Sequence, residues 1–105
     1  MASISTHVLD TQLGRPGVGI PVTLWRRDSD RWVMVADTVT DADGRIPSLL
    51  EQADQGIYRI VFDTSAYGVI WFPEVSVVFP VEEPAEHYHV PLLLSSHGYT
   101  TYRGS

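Results

Sequence analysis

Cysteine and lysine are both missing from this chain of 105 residues. Without cysteine there is no disulfide, no thiolate nucleophile, no Cys-ligated zinc and no iron–sulfur cluster. A domain this small, with no such staple, hides a modest fraction of its surface, so association with copies of itself would add to its stability. Without lysine, all seven basic residues are arginines, set against thirteen acids for a formal charge of −6. That field repels a phosphate backbone, and the one adjacent basic pair, Arg26 and Arg27, is followed closely by Asp28 and Asp30. Nucleic acid is therefore a poor partner. No apolar run approaches the length of a membrane span, and the opening MASISTHVLD lacks a basic stretch followed by an apolar one. The expectation is a soluble cytoplasmic protein with no membrane partner.

The hydrophobic content is 44%, with three Trp, five Tyr and three Phe, which suffices for one core and a single domain over residues 1–105. The pattern is that of short strands. Residues 4–10 place Ile4, Thr6, Val8 and Asp10 on one face and Ser5, His7 and Leu9 on the other. A turn-rich stretch through Gly14, Pro16, Gly17 and Gly19 follows, then strands at 20–26 and 32–40 joined by a polar hairpin. Residues 48–56 read as a loop or one exposed turn. Residues 57–62 alternate as a strand, and Asp63 or Thr64 can cap a brief helical turn that Gly68 and Pro73 keep short. Strands at 74–81, 87–94 and 99–103 complete seven or eight, without the βαβ rhythm of a parallel sheet. Pro91 removes one ladder donor, so it should sit at an edge or at an irregularity in the hydrogen bonding.

Imidazole exchanges protons near neutral pH, so the histidines His7, His87, His89 and His97 are the first candidates for chemistry. His87 and His89 share one face of a strand, about 7 Å apart. That spacing could serve a metal, but no third ligand stands at a diagnostic distance. Arg45 follows the tight turn Asp41-Ala42-Asp43-Gly44 and could aim a guanidinium at a planar ligand, although on its own it reads better as a surface arginine paired with Asp41 or Asp43. The stretch Tyr99–Ser105 brings Tyr102 as a stacking and hydrogen-bonding group, Arg103 as an anion holder and Ser105 as a hydroxyl. His97 falls in a surface turn.

Taken in order, Thr6-His7-Val8-Leu9-Asp10 with Gly14 and Pro16, Thr40-Asp41-Ala42-Asp43-Gly44-Arg45-Ile46, His87-Tyr88-His89-Val90-Pro91-Leu92-Leu93-Leu94-Ser95 and Tyr102-Arg103-Gly104-Ser105 resemble the 5-hydroxyisourate hydrolases, the transthyretin-related enzymes of urate breakdown. The resemblance covers essentially the whole chain. It implies an all-β, transthyretin-like two-sheet β-sandwich of seven or eight strands, with a shortened helix after the fifth strand. The segment Asp63–Pro73 is several residues shorter than the family pattern, and Ser96 stands where members often carry proline. The resemblance further implies a homotetramer built as a dimer of dimers, with substrate sites at the mouths of a central channel.

Carried over by motif, the catalytic set is His7, Arg45 and His89, with Tyr102, Arg103 and Ser105 lining the substrate pocket and no cofactor or metal. Transthyretin itself lacks this set, so the resemblance favours hydrolysis of 5-hydroxyisourate to 2-oxo-4-hydroxy-4-carboxy-5-ureidoimidazoline over a noncatalytic binding protein. In that reaction water adds to a ring carbonyl carbon and a C–N bond breaks. One histidine takes the proton of the water, its partner supplies the departing nitrogen, and Arg45 offsets the developing negative charge.

Overall fold

The structure, a computed structural model, describes residues 2–83 and 85–104. These form nine strands: β1 (Ala2–Asp10), β2 (Arg15–Pro16), β3 (Pro21–Asp28), β4 (Arg31–Val39), β5 (Arg45–Ala53), β6 (Gly56–Asp63), β7 (Glu74–Val81), β8 (His87–Leu94) and β9 (Tyr99–Thr101). They make two packed sheets. One runs β2-β1-β8-β9, with β5 also paired to β1, and the other runs β4-β3-β6-β7. The sandwich architecture is as the sequence predicts. The strand count of seven or eight is corrected to nine, because the short pair β1–β2, with Leu9 opposite Pro16 and Asp10 opposite Arg15, lies in the stretch read as turn alone, and because residues 48–53, read as loop, are strand.

The core lies between the sheets. Alternation along each strand sends Ile4 and Val8 of β1 and Leu92 and Leu94 of β8 inward, to meet Val22, Leu24, Tyr58, Ile60 and Phe62 of the facing sheet. The same alternation turns Ser3, Ser5 and His7, with His87 and His89, to the outer face of the first sheet. Core packing thus sets the orientation of the outward residues: a one-residue slip in β1 would expose Ile4 and Val8 and bury His7.

The expected helix after the strand at 57–62 is absent: no helix occurs anywhere among the described residues. Its start signal is nevertheless in place. The Asp63 carboxylate accepts the Ser65 N–H at 3.0 Å and the Ser65 hydroxyl at 2.6 Å, and the Tyr67 N–H reaches the Thr64 carbonyl at 3.0 Å. One turn forms and stops, because Gly68 takes a left-handed φ of +51° and Thr64 instead closes the loop. Its N–H donates to the Pro73 carbonyl at 3.1 Å and its hydroxyl to the Phe72 carbonyl. With Gly68 and Pro73 bounding it, the segment has no room to propagate a helix against its nucleation cost.

Strand β8 is central rather than an edge, since β1 pairs with it in parallel and β9 antiparallel. The register that sets Leu92 opposite Thr101 and His89 opposite Gly104 puts Pro91 opposite Tyr102. Having no N–H, Pro91 cannot donate there, and the ladder lapses over Tyr102 and Arg103 before Gly104 rejoins it. This is the irregularity the sequence anticipates.

Candidate active site

Strand β1 is flanked by β5 on one side and β8 on the other, so the outward residues of three strands meet across it. His7 is opposite Arg45, Ser5 opposite His89 and Ser3 opposite His87. A cleft of about 300 Å³ opens there, lined by Ser5, Thr6, Arg45, Pro47, His87 and His89. Two residue steps along β1, from Ile4 to Thr6, match four along β5, from Leu50 to Ile46, and Pro47 falls within this bulge. The bulge bends β5 and brings Pro47 to the cleft wall.

Arg45 and His7 depend on one turn. The Asp41 carboxylate accepts the N–H groups of Asp43 at 2.8 Å and Arg45 at 2.9 Å. Those two bonds, the one from Arg45 foremost, hold the Asp41 carboxyl below the usual carboxylate range. The main chain closes the same turn, Gly44 N–H to the Asp41 carbonyl at 2.9 Å and Asp41 N–H to the Arg45 carbonyl at 3.0 Å. Asp41 therefore acts on the backbone and not on the guanidinium: the one ion pair among the described residues joins Arg103 to Glu86. Arg45 is left with its charge available to a ligand. His7 Nε2 donates to the Asp43 carbonyl at 3.1 Å, which in the neutral ring leaves Nδ1 as the acceptor.

On the other side of β1 the rings of His87 and His89 lie nearly parallel, 15° apart with centroids at 6.4 Å. Two serines tie them together. Ser5 Oγ is 2.8 Å from His89 Nδ1 and 2.9 Å from His87 Nε2, and Ser3 Oγ is 2.5 Å from His87 Nδ1. With Nδ1 so engaged, Nε2 is the remaining nitrogen of His89. Burial above all, and then the nearby charges of His7, His87 and Arg45, push the His89 pKa below the ordinary imidazole value. The ring is accordingly neutral at pH 7 and able to accept a proton. Among the described residues no group of three or more His, Asp or Glu side chains comes together as metal ligands.

Of the residues expected at the site, the structure brings His7, Arg45 and His89 to the outer face of one sheet. Tyr102 and Arg103 lie elsewhere. They line a second cavity of about 270 Å³ with Val77, Phe79, Tyr88 and Val90, on the inward side of β8. Arg103 donates to Glu86 at 2.6 Å and sits 4.5 Å over the Tyr88 ring. Ser105 lies outside the described residues. Gly104 does reach the site: its N–H donates to the His89 carbonyl at 2.8 Å, and it packs so closely that a Cβ there would come within 2.7 Å of His89 Cδ2. His97 occupies the exposed β8–β9 turn, 3.1 Å from the Ser96 hydroxyl. Ser3 and Ser5 are the residues the sequence reading missed. The available signal was the alternation Ser3, Ser5, His7, which puts both hydroxyls on the histidine face.

Residues 4–104 match the family described as HIUase/Transthyretin. The 5-hydroxyisourate hydrolase of Salmonella dublin is 43% identical over 109 residues, covering 97% of this chain and 80% of the relative. The structure of Klebsiella pneumoniae 5-hydroxyisourate hydrolase superposes with a TM-score of 0.88 at 32% identity, over the whole of both chains. Sea bream transthyretin in complex with thyroxine superposes with a TM-score of 0.89 at 33% identity, covering 96% of this chain and 93% of the other.

Proposed function

The chain belongs to the HIUase/Transthyretin family, and from that membership and the outer-face cleft we infer that it is a 5-hydroxyisourate hydrolase. It cleaves a C–N bond of a cyclic amide, converting 5-hydroxyisourate to 2-oxo-4-hydroxy-4-carboxy-5-ureidoimidazoline in purine breakdown. The observation that carries this reading over that of a binding protein is the cleft itself. An arginine without a carboxylate partner and a histidine held neutral line one cavity, and a histidine with a fixed acceptor nitrogen stands beside it, opposite that arginine across the β1–β5 pair.

We assign catalysis to His7, Arg45 and His89. The neutral His89 takes the proton of the attacking water as its oxygen bonds to the ring carbonyl carbon. Arg45 binds the carbonyl oxygen, where negative charge grows as the tetrahedral centre forms. His7 Nδ1 accepts a hydrogen bond from a ring N–H or the hydroxyl and orients the ring. The substrate also opens unaided, so the site supplies rate and stereochemical control.

The assembly we propose is a homotetramer, a dimer of dimers, in which Tyr102, Arg103 and Ser105 complete the substrate pocket across a subunit boundary. What supports it is the open side of the sandwich. Edge strands β7 and β9 leave the mainly apolar cavity at Val77, Phe79, Tyr88 and Val90 uncovered, and a second copy would close it. Sedimentation would read the assembly directly, a monomer at micromolar concentration overturning it.

The test of the function uses freshly generated 5-hydroxyisourate and follows ring opening above the spontaneous rate. The intact protein accelerates it, and His7→Ala, Arg45→Ala and His89→Ala each lower the rate. A folded protein indistinguishable from buffer would reject the hydrolase. Three variants as fast as the parent would reject this catalytic set.

A further inference from the structure

His89 is one end of a hydrogen-bonded chain that runs along the cleft wall to Ser3. From His89 Nδ1 it runs to Ser5 Oγ, from there to His87 Nε2, through that ring to Nδ1, and on to Ser3 Oγ. The links measure 2.8, 2.9 and 2.5 Å, all within proton-transfer distance. Ser5 is buried, at 5% exposure, whereas at the far end His87 is exposed and Ser3 half-buried.

We propose that Ser5 and His87 are positioning residues that make this chain a proton relay, through which His89 acts first as base and then as acid without becoming charged. The proposal rests on the hydrolase reading and assigns the proton traffic at the same cleft.

Proton counting at Ser5 is what carries it. Its hydroxyl has a single hydrogen, and the two histidines are its only partners among the described residues. Accepting from both rings would leave that hydrogen buried and unbonded, at a cost of about 1–3 kcal/mol. The satisfied arrangements are therefore two. In the first, His89 Nδ1–H donates to Ser5, Ser5 donates to His87 Nε2, and His87 Nδ1–H donates to Ser3. His89 Nε2 then holds a lone pair for the cleft. In the second, every donor is reversed and His89 presents Nε2–H.

Hydrolysis moves the chain between the two. As the water oxygen bonds to the ring carbonyl carbon, its O–H breaks and the proton goes to Nε2. The Nδ1 proton passes to Ser5, the Ser5 proton to His87 Nε2, the His87 Nδ1 proton to Ser3, and one proton leaves Ser3 for bulk water. His89 now carries Nε2–H and is again neutral. When the C–N bond breaks, its electron pair stays on nitrogen, which takes the Nε2 proton, and one proton from bulk water resets the chain. The depressed basicity of His89 suits this route, because an imidazolium intermediate is what burial there disfavours.

Two variants test the relay. Ser5→Ala removes its centre, and His87→Phe keeps an exposed ring of similar size with no nitrogen, so the test survives should the buried change impair folding. In the parent enzyme the proton inventory of kcat in H2O/D2O mixtures should be bowed, reporting several protons in flight. In each folded variant kcat should fall roughly 10-fold or more with KM little changed, and the inventory should become linear. A second readout needs no substrate: ring 15N shifts should give His87 and His89 the same tautomer in the parent, and Ser5→Ala should uncouple them. Parent-like kcat with a bowed inventory in either folded variant, or opposite tautomers in the parent, would overturn the relay. Loss of turnover in the parent protein itself would instead sink the hydrolase reading.

Discussion

His7 and Arg45 stand opposite each other across the β1–β5 pair and are held by the same turn, His7 through the Asp43 carbonyl and Arg45 through its backbone N–H on Asp41. The Asp41 carboxylate thereby fixes two of the groups proposed for catalysis without touching either side chain. Asp41→Ala should lower kcat by about 10- to 100-fold while leaving the fold intact, since small misplacements of reacting groups have effects of that size. Asp41→Asn, which keeps one carbonyl acceptor, should lose less. A wild-type kcat in Asp41→Ala, measured beside an unchanged circular dichroism spectrum, would remove the turn from the mechanism.

The pH profile follows from the same cleft. With His89 as the proposed base and its pKa below the unfolded value, activity should persist below pH 6.5 and fall only as pH drops through the depressed folded value. Stability has the same sign: the unfolded chain binds the His89 proton more readily, so this group costs stability as pH falls from 6.5 toward the folded pKa and costs nothing well above 6.5. His7 and Arg45 are two of the charges that depress it. In His7→Ala, measured on its residual rate, the acid limb should move up toward 6.5. A limb already above that value in the parent would contradict the assignment.

Gly44 offers a prediction about stability. Its φ is +72°, and a Cβ would collide with the Val8 carbonyl oxygen and approach Gly17 N within 3.0 Å. Gly44→Ala combines left-handed strain of roughly 1–2 kcal/mol with that collision. It should lower the urea midpoint visibly. Gly19→Ala, also at positive φ but with nothing within 4 Å of the added carbon, should cost less. Equal midpoints for the two variants would show that the close approach to Val8 is unimportant.

What was legible in the sequence tracks how local the signal is. Strands β6, β7 and β8 could be read because their inward residues recur at every second position, as Tyr58, Ile60 and Phe62 do. Strand β5 could not, because its buried residues are Ile46, Leu49 and Ala53. That three- and four-residue spacing imitates a helix, and only bulged pairing with β1 makes it a strand. The helix expected after β6 fails for the converse reason, since its capping group is present and its interior is not. Motifs pointed to His7, Arg45 and His89, and the strand registers place His7 opposite Arg45 and Ser5 opposite His89. Ser5 acquires a role only when the parallel β1–β8 register sets it opposite His89, a pairing between residues 84 apart that no local pattern encodes.

Gly104 separates effects on the site from effects on the fold. Its amide holds the His89 carbonyl at 2.8 Å, and the space where its side chain would be is filled by the His89 ring, with Cδ2, Cγ and Cβ at 2.7, 3.4 and 3.5 Å from a built Cβ. The backbone there is not left-handed, so alanine adds no conformational strain, only contact. The cheapest relief is to push the ring away from the chain end, which would lengthen its 2.8 Å bond to Ser5 and turn Nε2 off the substrate. Gly104→Ala should therefore fold with nearly parental stability and lose about 10-fold or more in kcat, in line with the sensitivity of proton transfer to donor–acceptor geometry. Gly98→Ala, whose added carbon would meet only the Ser95 hydroxyl at 3.5 Å, is the control and should turn over normally. If Gly104→Ala is as active as Gly98→Ala, Gly104 does not position His89.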